Sequence, residues 1–254
     1  MKKRRIRLSK ISALHYFKLF FRLSLFIAAT VVYILNKITS SGSSFGGYEN
    51  NTIVLSIIWI VFVFEMVLRF FPSSLESMGC QKQFRKNFMK TEEVSPEGQP
   101  PRITLLVLAV WLLLNAIIGV LYFTGVIDRG ILLLISLAYS VCDMICILFF
   151  CPFQTWFMKN KCCGSCRIYN WDYAMMFTPL IFIKNFYAWS LLGIALLLVL
   201  CWELSVLLHP ERFSENTNAC LSCQNCKEKL CSHKVQLRRF LAKNKDLLHK
   251  RSKK

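Results

Sequence analysis

Residues 103–123 read ITLLVLAVWLLLNAIIGVLYF, an uninterrupted apolar run without a single charged side chain. Helical, a run of about 20 such residues is as long as the hydrocarbon core of a bilayer is thick. A helix on the surface of a soluble bundle would keep charges along its wet face, and this one has no wet face. The whole chain agrees with this reading: 55% of its 254 residues are hydrophobic and its mean hydropathy is +0.43. Working outward, similar runs lie at 19–35, 53–71, 131–150, 173–183 and 189–208. They are continuous rather than alternating, so they predict an all-α transmembrane bundle of about six spans and not a barrel.

The stretch 173–208 needs the most argument. As one helix it would be about 54 Å long, far beyond a core of about 30 Å. Two spans turning near Lys184 fit better, the first of them short and interrupted by Pro179. The domain organisation that follows is a basic N-terminal segment 1–18, the bundle 19–208, and a cysteine-rich, basic tail 209–254. A signal peptide is the alternative for the basic start, but the run 19–35 is longer than an h-region of about 7 to 15 residues.

The formal charge of +18 would suggest nucleic acid on a soluble chain. Here Lys and Arg flank the spans, as anionic headgroups and the positive-inside rule favour, so a lipid bilayer is the expected partner and nucleic acid is not. With six spans, 27 basic residues fall on the side holding both termini and only Lys37, Arg129 and Lys184 on the other. This predicts a cell (plasma) membrane protein, multi-pass, with both termini in the cytoplasm. Asn50, Asn51 and Thr52 form a glycosylation sequon in an outer loop, a match frequent by chance.

Eight of the twelve cysteines fall in two segments assigned to the cytoplasmic side. Cys220, Cys223, Cys226 and Cys231 are spaced C-x2-C-x2-C-x4-C, a spacing that lets thiolates on a tight turn reach one metal. Four thiolates satisfy tetrahedral zinc or an iron-sulfur cluster. The opening C-x2-C-x2-C resembles the start of the bacterial ferredoxin motif, with one residue too many before the fourth cysteine and no proline after it. Cys151, Cys162, Cys163 and Cys166 form a looser companion group, because adjacent cysteines such as Cys162 and Cys163 do not easily ligate one ion. Lys159, Lys161 and Arg167 surround them and favour thiolates. One shared site or two, structural disulfides and redox thiols all remain open at this level.

Three carboxylates fall inside spans, Glu65, Asp143 and Glu203, at about 8 to 11 Å from the cytoplasmic ends of their helices. Cys142, Cys146 and Cys201 lie at similar depths. Ionisable groups this deep face the bundle interior or a wet cavity. They form either a pocket for protons or a cation, or structural ties, with Glu65 paired to Arg69 one turn away. The histidines, His15, His209, His233 and His249, sit at or beyond span ends, which argues against a bis-histidine haem. No phosphate loop, H-E-x-x-H or G-x-S-x-G is present. Basic and apolar residues interleave after Cys231 at helical spacing, as in a surface-lying amphipathic helix or a solvated tail.

The function these features point to is a cytoplasmic cysteine-ligated iron-sulfur centre that exchanges electrons with a membrane or cytoplasmic redox partner. A zinc-stapled scaffold without catalysis is the second reading, and a transporter using the inner-leaflet carboxylates the third.

Overall fold

The computed structural model describes residues 9–39, 52–91, 95–96, 101–160, 162–226 and 228. Cys231 and the basic tail beyond it lie outside the described residues. Among those described the protein is all-helical, with one isolated bridge between Lys90 and Asn218. Four helices are long and apolar enough to cross a membrane. They lie in α1 (Lys10–Thr39), α4 (Pro101–Phe123), α5 (Arg129–Leu148) and α7 (Phe186–Leu208), while α2 (Thr52–Leu68) is apolar but shorter and α3 (Met78–Gln81) is a single turn.

Helix boundaries follow local chemistry. Ser9 starts α1 by accepting from the Ser12 amide at 3.1 Å, Asp128 starts α5 by accepting from Ile131 at 2.9 Å, and Asn185 starts α7 by accepting from Tyr187 at 3.1 Å. Helix α4 ends where Gly125 takes φ +75°, with the Gly125 amide donating to the Tyr122 carbonyl and the Val126 amide to that of Leu121. This is a Schellman turn, and glycine enters the left-handed region without steric cost.

Helix α1 lies antiparallel to α5. Tyr33 donates to Asp128 at one end (2.9 Å) and Arg22 reaches Asp143 toward the other (3.0 Å). Helices α2 and α7 run parallel, tied by Trp59 to Ser190 (2.8 Å) and Ser56 to Tyr187 (3.0 Å). The outward faces are greasy: Phe20, Ile27 and Ile34 on α1, Leu112, Leu113 and Val120 on α4, and Leu196, Leu200 and Leu207 on α7 are all exposed. Apolar surface on this scale suits lipid, not water.

The short fifth segment lies inside the bundle. A 3-10 turn (Tyr169–Trp171) leads into α6 (Asp172–Phe177) and a second 3-10 turn (Thr178–Phe182). Pro179 has no amide hydrogen and its ring conflicts with a helical carbonyl one turn back, so the α-helix gives way there. Tyr173, Met176, Phe177, Pro179 and Leu180 are buried. Ser136 of α5 supplies a hydroxyl to the Met176 carbonyl (2.7 Å), and Thr178 supplies its own to Ala174 (2.6 Å). Broken helix is tolerated at membrane depth where protein meets its polar groups in this way. One end, at Tyr169, lies against Gly79; the other, at Phe182, packs on Gly119 and Phe123 at the far end of α4. Over its 14 residues the mixed helix is about 25 Å long.

The chain between helices builds a cap over one end of the bundle. Asn218 and Ala219 pair with Met89 and Lys90, the Ala219 amide donating to Met89 at 2.8 Å. Buried Lys82 donates to the carbonyls of Gly164 (3.0 Å) and Cys166 (2.8 Å) beneath the rings of Trp202 and Phe213. Burial lowers its pKa to about 8. Glu228 accepts from the Ser77 hydroxyl (2.8 Å) and the Met78 amide, and its carbonyl accepts from Ser9 and Ser12 (3.0 Å each). The start of α1 and the segment past Cys226 are thereby stitched together. Burial raises the Glu228 carboxyl above its ordinary range.

Candidate functional site

Two constellations sit at the capped end. The first is ionic. Arg22 of α1, 1% exposed, bonds Glu65 of α2 (2.8 Å) and Asp143 of α5 (3.0 Å) and donates to the Ser140 carbonyl (3.2 Å). Its guanidinium lies 5.6 Å from the Phe62 ring centre and 5.8 Å from that of Tyr173. Tyr173 donates to Glu65 at 2.8 Å, and Lys18 stands 3.5 Å from Glu65 and 3.6 Å from Glu76. The expected Glu65–Arg69 pair does not form. The helix tightens into turns after Leu68, so Arg69 is carried away from Glu65 and meets Asp172 at 2.7 Å. Glu203 of α7 is held by Arg167, which donates to both its oxygens, and by Trp171 at 2.8 Å. Each carboxylate singled out in the sequence thus has an arginine from another segment. The arrangement braces helices, and buried pairs of this kind hold together only when both partners are present.

The second constellation is a cavity of about 280 Å³ between α4, α5, the segment after α5 and α6. Cys142 and Cys146 line it from α5, and Cys151, Cys163 and Cys166 from the loop. Its other walls are mostly apolar or aromatic, with Gln154, Asp143 and Asp172 among them, and Trp111 and Tyr139 pack there with ring centres 4.9 Å apart. The reason for the gathering is local. Cys142 and Cys146 are four apart and share a helix face, Cys151 follows the end of α5 by three residues, and Pro152 then turns the chain into a π-helical segment (Phe153–Phe157). The Cys146 and Cys151 side chains stand close enough to interact. Cys151 also accepts from the Gln154 amide at 3.4 Å, and Cys163 donates to the Gln154 side chain at 2.9 Å. Burial raises the Cys166 thiol pKa, and Cys80, buried among the cap residues outside this cavity, is pushed up to about 12, a thiol protected from reaction.

Asp143 and Asp172 also border the cavity. The Asp172 side chain is 8% exposed. Its Oδ1 takes Arg69, and its Oδ2 is buried without a hydrogen-bond partner among the described residues. A buried acceptor left unsatisfied can take a further donor.

The structure separates the sequence candidates. Of the first cysteine group, Cys151, Cys163 and Cys166 line the cavity and Cys162 does not; its sulfur accepts from the Gly164 amide at 3.4 Å. Cys220, Cys223 and Cys226 lie in the cap on a run of tight turns and take no part in that cavity. Their fourth member, Cys231, is outside the described residues, and among the described residues no three His, Cys, Asp or Glu side chains are placed to hold a metal ion. Three participants escaped sequence reading. Arg22 was legible as a charge inside a span, which demands a partner. Lys82 and the unpaired face of Asp172 carried no such signal.

All-helical among the described residues, with four helices long and apolar enough to cross a membrane and cysteines gathered at one end, the chain has the features of a helical membrane protein. No family model, curated protein or solved structure matches it, so its function is argued from these side chains.

Proposed function

We propose that the chain is a six-crossing protein of the cell membrane, both termini cytoplasmic, that moves electrons through cysteine at its cytoplasmic face. The observation that supports this is the cavity, where five cysteines surround one largely apolar space and the Cys146 and Cys151 side chains interact. Thiols this close exchange two electrons by making and breaking one disulfide. Four long helices, α2 and the buried segment 169–182 supply the six crossings, and the imbalance of 27 basic residues to 3 supports the orientation.

Cys220, Cys223, Cys226 and Cys231 form the second redox element in this reading, an iron-sulfur centre that hands electrons between a cytoplasmic partner and the cavity thiols. Their spacing supports it. Zinc on the same four residues would instead staple the tail to the cap. The arginine paired with each of Glu65, Asp143 and Glu203 favours bracing over ion transport.

Anaerobically purified protein is expected to contain iron and acid-labile sulfide. Peptide mass spectrometry should find a Cys146–Cys151 disulfide after mild oxidation that dithiothreitol reverses. An unchanged thiol count under both conditions would overturn the electron-transfer reading, and a colourless, zinc-loaded preparation would assign the Cys220 group to stapling.

A further inference from the structure

The cavity's contents can be argued one step further, on the basis of the thiol reading above. We propose that it admits a quinone-class ring from the lipid phase and that this ring oxidises the Cys146–Cys151 dithiol.

Four features converge on such a ligand. The cavity is apolar and aromatic, with Trp111, Tyr139, Phe153 and Tyr169 around it, and at about 280 Å³ it has room for one substituted ring, not a nucleotide or a peptide. It lies between two helices whose outer faces are lipid-suited, and Cys142, on its wall, is exposed. A ligand dissolved in the bilayer therefore reaches it sideways. The dithiol stands at the same wall. The buried Asp172 Oδ2 lacks a donor among the described residues, and the hydroxyl of a quinol is one.

The reaction balances without any further reagent. Both S–H bonds break as an S–S bond forms between Cys146 and Cys151, and the two electrons released reduce the quinone ring. Both thiol protons end on the two quinone oxygens, giving one disulfide and one quinol. Asp172 accepts a hydrogen bond from one quinol hydroxyl, which favours the reduced ring over the quinone, an acceptor only. Asp172 is a positioning residue here and not a party to the electron transfer.

The test uses the reduced full-length protein in lipid nanodiscs without oxygen. A fully ring-substituted benzoquinone, which cannot arylate thiols, is added, and its conversion to quinol is read by ultraviolet absorption. Wild type should form about one quinol per chain together with the Cys146–Cys151 disulfide. Cys146→Ser and Cys151→Ser should form neither. Met175→Trp, which fills the cavity from α6, should weaken the quinone response at least tenfold while diamide still closes the disulfide. Asp172→Asn should shift the quinone dependence in the same direction, with diamide closure again serving as the folding control. If diamide closes the disulfide and the quinone is not reduced, the quinone proposal is overturned and the thiol reading stands. If neither oxidant forms the disulfide, both fall. Undiminished quinol formation in Met175→Trp also overturns the cavity as its site.

Discussion

Arg22 is the side chain on which the bundle's polar interior turns. It is 1% exposed, it is the strongest cation near two carboxylates from different helices, and its removal strands them. Glu65 would keep Lys18 and Tyr173, whereas Asp143 would lose its one ion pair among the described residues. Arg22→Met is therefore expected to destabilise the protein by about 3 to 5 kcal/mol, the cost of breaking a buried pair. Arg22→Met combined with Asp143→Asn should recover more than half, because a neutral amide no longer needs a counter-charge. Thermal unfolding in detergent measures both. A single variant as stable as wild type would show that water, not arginine, compensates these carboxylates. The same paired logic applies to Arg69 and Asp172, 5% and 8% exposed and 2.7 Å apart, with the Asp172 Oδ2 left without a partner among the described residues.

Among the elements, the buried segment 169–182 decides how the helices can pack. Its outer turn carries Phe182 onto Gly119 of α4, where a methyl group would come 2.5 Å from the ring. Gly119→Ala is expected to cost about 1 to 3 kcal/mol, as overpacking does. Phe182→Ala in the same chain should remove most of that penalty. The double-mutant cycle in thermal unfolding reads the coupling directly, and strictly additive effects would mean that the two elements do not meet there. Shifting Phe182 would also loosen its contacts with Tyr122 and Phe123 at the end of α4, the helix that closes one wall of the cavity. Packing at one end of the segment is in this way tied to the site near the other.

For the whole molecule, six crossings require that Thr124 and Lys184 lie on one side of the membrane and Cys223 on the other. In intact cells an impermeant maleimide should label Thr124→Cys and Lys184→Cys, and should reach native Cys223 only after lysis. Labelling of Cys223 in intact cells would reverse the orientation. The sequence by itself determined that the chain is an all-helical protein with spans for a bilayer, because apolar length and charge placement are local properties that no packing can undo. It also marked Cys151, Cys162, Cys163 and Cys166 as a group by chain proximity, of which all but Cys162 line the cavity. It could not reveal that Cys142 and Cys146 join them, that Arg22 rather than Arg69 meets Glu65, or that Cys220, Cys223 and Cys226 stay apart in the cap. Those outcomes depend on which helix faces which and on where turns such as Leu68 to Arg69 and Cys151 to Pro152 redirect the chain. Pairings between residues more than a hundred positions apart, such as Arg22 with Asp143, are set by the tertiary fold, because only the assembled bundle brings both charges out of lipid and into contact.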